Sequence, residues 1–244
     1  MSGLFSELQT HLLQEQGIAL ATLVRGPHHV GAKLLLFPDA SSRGTLGDAT
    51  LDAQVKADAQ LALWSGSAQL HHYQLANEAF EIFIEGFPPP PELIIVGAGH
   101  IAIPLTTIAK TLHYRVTIID ARAAFATTER FPHADEVIVA WPDEVLAQRR
   151  LSPSTAIAVL THDPKFDEPT LKVVLERQVG YIGAIGSRKT SQERAKRLQS
   201  QGLTPEQLAR IHGPIGLPIG AANPEEIALA IMAEIIAFRH QQAQ

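Results

Sequence analysis

Apolar residues in LFSELQTHLLQEQG, Leu4 to Gly17, recur at three- and four-residue spacing. They predict an amphipathic helix stopped by Gly17. IALATLV, AKLLLF and AFEIFIEG read as strands, and TLDAQVKADAQLALWSG reads as a helix from Thr50 to Gly66. This first part is a small α+β unit. The pattern changes at GFPPPPEL, where Pro88 to Pro91 favour a stiff, extended spacer. Beyond it, strands and helices alternate. LIIVG precedes the helix IAIPLTTIAKTL, followed by the strands RVTIID, EVIVA and AIAVLT. Next come the helix EPTLKVVLERQ, the strand YIGAIG, and the helices RKTSQERAKRLQSQG and PEEIALAIMAEIIAFRHQ. Near-continuous apolar strands separated by helices indicate a parallel sheet covered on both faces. The expected class is α/β: residues 1–86 form the smaller α+β domain, 87–91 a proline-rich linker, and 92–244 a Rossmann-like doubly wound domain. In such a domain the ligand lies at the carboxyl ends of the strands.

Charge and composition narrow the function. Residues 1–86 carry four Lys/Arg against nine Asp/Glu, and the remainder holds sixteen of each. The net charge of -5 argues against nucleic acid as the main partner. There is no cysteine, so disulfides, thiolate metal sites and cysteine nucleophiles are excluded. The start MSGLFSELQT has neither a basic n-region nor an apolar core. The apolar run IALAIMAEIIAF is interrupted by Glu234 and is too short to cross a bilayer. A cytoplasmic protein with no membrane partner is expected.

The candidate chemistry gathers at one edge. Gly97-Ala98-Gly99-His100-Ile101-Ala102 fits G-x-G-x-x-G/A between a strand and a helix. Gly97 permits the tight turn, Gly99 admits a phosphate to the backbone, and Ala102 allows close helix packing. The helix N-terminus then faces the anion. Asp120 ends the next strand about twenty residues on, where an acid binds ribose hydroxyls. That favours NAD, although the neighbouring Arg122 can accommodate the 2′-phosphate of NADP. Thr161, His162 and Asp163 follow the strand expected across the topological switch, beside the ligand. His162 is the candidate acid/base; Asp163 and Asp167 read equally well as turn or cap residues. No paired histidine spacing supports a metal site. Gly186, Ser187, Arg188 and Lys189 open a helix after a buried strand and form a candidate anion pocket. In HGPIGLPIGAANPEE, Asn223, Pro224 and Glu226 make a helix cap. The Gly/Pro loop before that cap reads as ligand-facing or as a packing surface for a second copy of the chain.

LIIVGAGHIA, VTIIDAR, RFPHADEVIV, VLTHD, YIGAIGSRKT and LARIHGPIGLPIGAANPEEIALAIMAEIIA, in this order, resemble the C-terminal domain of the XdhC/CoxI proteins, accessory factors of xanthine dehydrogenase. The resemblance implies a chaperone that binds molybdenum cofactor (molybdopterin carrying molybdenum) and helps place it in a xanthine-dehydrogenase-type molybdoenzyme. It also implies a homodimer or larger assembly and a cysteine desulfurase as a further partner. The N-terminal part resembles the family's other domain, with Asp48, Ala49 and Thr50 standing where the family usually has glycine and cysteine. Two further readings stay open: an NAD(P)-dependent oxidoreductase using His162, and a regulatory protein that binds a nucleotide without turnover.

Overall fold

The computed structural model describes residues 2–241; Met1 and residues 242–244 lie outside the described residues. The chain forms two compact units, one running to Pro89 and the other from Pro90 to Arg239. Among the described residues, no helix is long and apolar enough to cross a membrane.

The first unit begins with α1 (Ser2–Leu13), β1 (Ile18–Arg25), β2 (Lys33–Leu36) and β3 (Ser42–Thr45). It continues with α2 (Ala49–Ser65), β4 (Ala68–Leu75) and β5 (Glu78–Phe87). The strands form an antiparallel sheet in the order β3-β2-β1-β5-β4. Alternate side chains of β5, Phe80, Ile82 and Ile84, are buried with Leu51, Val55, Ala59 and Leu63 of α2. Asp48 caps α2 by accepting from the Thr50 and Leu51 N–H groups at 2.7 and 3.0 Å. Asp52, one turn on, accepts from the Thr45 hydroxyl and the Leu46 N–H, tying β3 to the helix start. The helix ends at Gly66, whose φ of 69° is left-handed.

Two strands here escape the hydrophobic pattern. Both β3 and β4 are edge strands with mostly exposed side chains. Their order comes from residue-by-residue pairing with β2 and β5, so apolar alternation does not mark them.

The second unit starts with β6 (Glu92–Val96), α3 (Ala102–Thr111), β7 (Arg115–Ile119), β8 (Glu136–Ile138), α4 (Pro142–Gln148) and β9 (Thr155–Val159). It ends with α5 (Pro164–Leu175), β10 (Tyr181–Ala184), α6 (Arg188–Ser200), α7 (Pro205–Leu208), β11 (Ile211–His212) and α8 (Pro224–Gln241). All six strands are parallel, in the order β11-β10-β9-β6-β7-β8. The two-residue period of the strands divides the core. Leu93, Ile95, Val116 and Ile118 share one cluster with Leu105 of α3 and Ile231 and Ile235 of α8. Ile94, Val96, Ile119, Ile157 and Val159 share the other with Leu146 of α4, Leu171 and Val174 of α5, and Leu198 of α6. Burial on both faces explains why these strands read as unbroken apolar runs. Helix α5 begins four residues earlier than its apolar pattern suggests, because Asp163 caps it and Pro169 is tolerated inside it.

At Gly86 the backbone of α2 comes close to β5. A Cβ there would stand 1.7 Å from the Ala62 carbonyl oxygen and 2.8 Å from the Leu63 nitrogen. Gly86→Ala therefore forces the helix off the sheet and is expected to cost about 3 kcal/mol. Urea unfolding should show a lowered midpoint with an unchanged m-value. A midpoint equal to wild type would show that α2 does not sit this close to β5.

Candidate ligand-binding site

The chain leaves β6 at Val96 and reaches α3 through a turn fixed from two sides. The Gly97 N–H donates to the Ile119 carbonyl at 2.9 Å, and the Leu160 N–H donates to the Val96 carbonyl at 2.7 Å. Gly97 has φ 102°, and a Cβ on it would lie 2.6 Å from Thr161 Cγ2. Only glycine meets both demands. Gly99 differs: a Cβ there would find no atom within 4 Å. Its outer face is open. His100 is exposed and Ile101 half-buried. Helix α3 has no side-chain cap and no acid in its first turn. Its positive dipole end is thus available to an anion.

Asp120 lies immediately after β7 and is 2 % exposed. Its Oδ2 accepts from the Ala98 N–H at 2.8 Å and from Arg122 Nη2 at 2.7 Å. Its Oδ1 accepts from the Arg122 N–H and from Arg122 Nε, both at 2.9 Å. A carboxylate offers about four acceptor positions. All are met by the protein's own donors, one of them in the glycine turn. Burial pushes the Asp120 carboxyl up, but the Arg122 guanidinium and the two backbone N–H groups outweigh it and hold the group below its ordinary value.

Arg122 turns its other face to aromatic rings. Its Cζ lies 4.3 Å from the centroid of Phe125 and 5.8 Å from that of Phe166. Trp141 stacks on Phe166 at 4.9 Å, with 28° between the planes. Phe125 is 37% exposed and Trp141 45%, so the group presents flat surface to solvent. These rings stand on the segments that follow β7, β8 and β9, at the carboxyl edge of the sheet. Sequence reasoning missed them. The available signal was an aromatic residue soon after each of three successive parallel strands.

After β9, Thr161 is buried while His162 and Asp163 are exposed. Asp163 accepts from the Lys165 N–H at 3.0 Å as the cap of α5, and its charge acts on Arg122. The Thr161 hydroxyl donates to Oδ1 of buried Asp167, and Arg194 Nη2 donates to Oδ2 at 3.3 Å. Burial pushes the Asp167 carboxyl up; Thr161, Arg194 and the nearby His162 offset this only partly. Thr161 therefore both packs on Gly97 and bonds inward.

Gly186, φ 144°, precedes α6. The Ser187 hydroxyl accepts from the Thr190 N–H at 3.1 Å and so caps the helix, while Arg188 and Lys189 are exposed. Strand β9 separates β10, and this loop with it, from β6 and the Gly97 turn. The structure thus brings Gly97–Ile101, Asp120, Arg122 and Thr161–Asp163 to adjacent strand ends and puts Gly186–Lys189 further along the same edge. The Gly/Pro loop after β11 is held by Glu234 of α8, which accepts from the Gly216 N–H at 2.6 Å and the Tyr181 hydroxyl at 2.5 Å. Among the described residues, no three His, Asp or Glu side chains gather as a metal site.

A parallel sheet in this order, with a glycine turn between its first strand and helix, defines a Rossmann-type domain. The chain belongs to the XdhC and CoxI family: residues 93–235 match the XdhC Rossmann domain, and residues 11–74 match the XdhC and CoxI family. It is 35% identical over 172 residues to a probable xanthine dehydrogenase subunit from Bacillus subtilis, covering 70% of this chain and 50% of that protein. It is 27% identical over 161 residues to the molybdenum cofactor insertion chaperone PaoD of Escherichia coli, covering 66% of this chain and 44% of PaoD. The chain thus spans about half the length of the curated relatives it matches. A crystal structure of a xanthine dehydrogenase from Bacillus halodurans shares the fold, with TM-score 0.56 and 21% identity over 97% of this chain and 95% of that one.

Removing the Asp120 charge should loosen the turn. In Asp120→Asn the buried Ala98 N–H competes for a weaker acceptor, and about 2 kcal/mol of stability should be lost at neutral pH. The folded carboxyl lies below its ordinary value near 3.8. The unfolded chain therefore holds more protons between the two values, and this contribution is complete above about pH 5. It disappears as pH falls through the folded value. Denaturation of wild type and Asp120→Asn at several pH values should give curves that converge only in acid; a gap independent of pH would refute the role.

Proposed function

We propose that the second unit binds a phosphate-bearing heteroaromatic ligand, and that this ligand is molybdenum cofactor handled as cargo for a xanthine-dehydrogenase-type molybdoenzyme. The observation that carries the reading is the open face of Gly99 in front of an uncapped helix N-terminus. A phosphate approaching there meets backbone N–H groups and the dipole of α3. Arg122, with Phe125, Phe166 and Trp141, supplies a cationic and flat surface suited to a fused ring such as a pterin. The names of the relatives, a molybdenum cofactor insertion chaperone and a probable xanthine dehydrogenase subunit, support the same cargo. A sulfur-donating cysteine desulfurase and a second copy of the chain are the further partners of this reading.

Asp120 favours a pterin over a dinucleotide. A ribose at that carboxylate would have to displace Arg122 or the Ala98 N–H, each already hydrogen-bonded. A pterin phosphate makes no such demand. His162, exposed beside the ligand edge, then influences cargo retention and carries no turnover.

Calorimetry with molybdopterin, AMP and NAD on wild type and Gly99→Val tests the assignment. The valine fills the open face, and molybdopterin should bind more than about tenfold more weakly, a change of about 1.4 kcal/mol or more. Equal binding by both proteins would remove the turn from the site. Protein purified from molybdopterin-producing cells and denatured should release a pterin fluorophore, reduced in His162→Asn. Release of nicotinamide instead, with NADPH or NADH oxidation lost in His162→Asn, would establish the oxidoreductase reading in its place.

A further inference from the structure

A cavity of about 310 Å³ opens beside α6, lined by Arg188, Ser191, Gln192 and Arg194 with Leu208 and Ile211 among its apolar walls. It borders α6, α7 and β11, on the far side of β9 from the Gly97 turn. Two guanidinium side chains line it and, among the described residues, no carboxylate does.

The buried polar groups at this cavity are incompletely matched. The Arg194 side chain is 5% exposed, and its Nη2 is held by Asp167 at 3.3 Å and by the Ile185 carbonyl at 2.6 Å. Its Nη1 is buried with no hydrogen-bond partner. The Ser191 hydroxyl is buried and unpartnered as well. A Cβ on Gly213, another lining residue, would lie 3.0 Å from that hydroxyl. Gly213 thus lies close against the Ser191 hydroxyl, and a larger residue there would crowd it. Buried donors without acceptors are rare in folded proteins and point to a bound group that supplies them. An arginine N–H calls for an acceptor, and an oxyanion is the strongest available.

From these observations we infer that this cavity is a second anion site, taking a phosphate group carried on a small, partly apolar molecule. On its entry the buried Arg194 Nη1 and Ser191 hydroxyl turn to its oxygens from behind the cavity wall, and Arg188 closes over it from the exposed side. Asp167 holds Arg194 from behind through Nη2, which fixes the guanidinium plane and leaves Nη1 for the ligand. Leu208 and Ile211 receive the apolar portion. None of the lining residues belongs to the Gly97 turn, to which Arg194 is connected through Asp167 and Thr161.

The full chain carrying Gly99→Val, which silences the Gly97 turn, is titrated with inorganic phosphate by calorimetry. One phosphate site should remain. In that background Arg188→Gln should weaken phosphate about tenfold and Ser191→Ala about threefold. Both residues lie outside the hydrophobic clusters, so the variants keep the fold, whereas replacing Arg194 would strand Asp167. Crystals of the wild-type chain soaked in tungstate should show the oxyanion against Arg194 Nη1. Phosphate affinity unchanged in both variants, no phosphate binding in the Gly99→Val background, or tungstate bound only elsewhere would each overturn the assignment.

Discussion

The Asp120 carboxylate and the Ala98 N–H need each other. A carboxylate at 2% exposure is unfavourable alone, and a backbone N–H as buried as that of Ala98 has no access to water. Their hydrogen bond, supported by three more from Arg122, removes both problems and clamps the strand-to-helix turn to the end of β7. The position of Gly99, the start of α3 and the direction of the Arg122 side chain all depend on this contact. An acid at the end of this strand would ordinarily be read as a ligand contact. Here its oxygens face the protein, and Arg122 is the group presented outward.

The parallel sheet makes this arrangement possible. Because β6, β7, β8 and β9 run in the same direction, their carboxyl ends deliver the glycine turn, Arg122, Trp141 and Thr161–Phe166 to one edge. Helices on both faces bury the strands, so the unsatisfied helix termini and polar side chains collect at that edge. Gly97 shows how tightly it is drawn together, since Thr161 occupies the place of any side chain there. In the proposed reading, this edge offers the glycine turn to a phosphate and the rings around Arg122 to a flat ligand.

The first unit follows a different logic. Its antiparallel sheet is covered by α2, and Gly86 lets the helix backbone approach β5 closely. Asp48 and Asp52 form a tight helix start, each accepting two hydrogen bonds. In this chain that segment holds α2 and β3 together through carboxylates. Thiolate chemistry has no residue here to perform it.

The sequence by itself determined the α/β class, the parallel character of the sheet and the glycine turn with its acid. These are written in local spacing: apolar runs buried on both faces, glycine at the tight turn, a side-chain cap before several of the helices. It did not reveal β3 or β4, because edge strands are ordered by pairing with a neighbour and carry little apolar alternation. It identified Asp120 but not the direction of its oxygens, which depends on Ala98 lying 22 positions away in the chain. Phe125, Phe166 and Trp141 appeared as ordinary apolar residues until three strand ends placed them around Arg122. The unpartnered Nη1 of Arg194 is likewise invisible in RKTSQERAKR, where the basic residues look equally solvated. Tertiary packing alone buries one of them, because only the contact between α5 and α6 sets its guanidinium against Asp167.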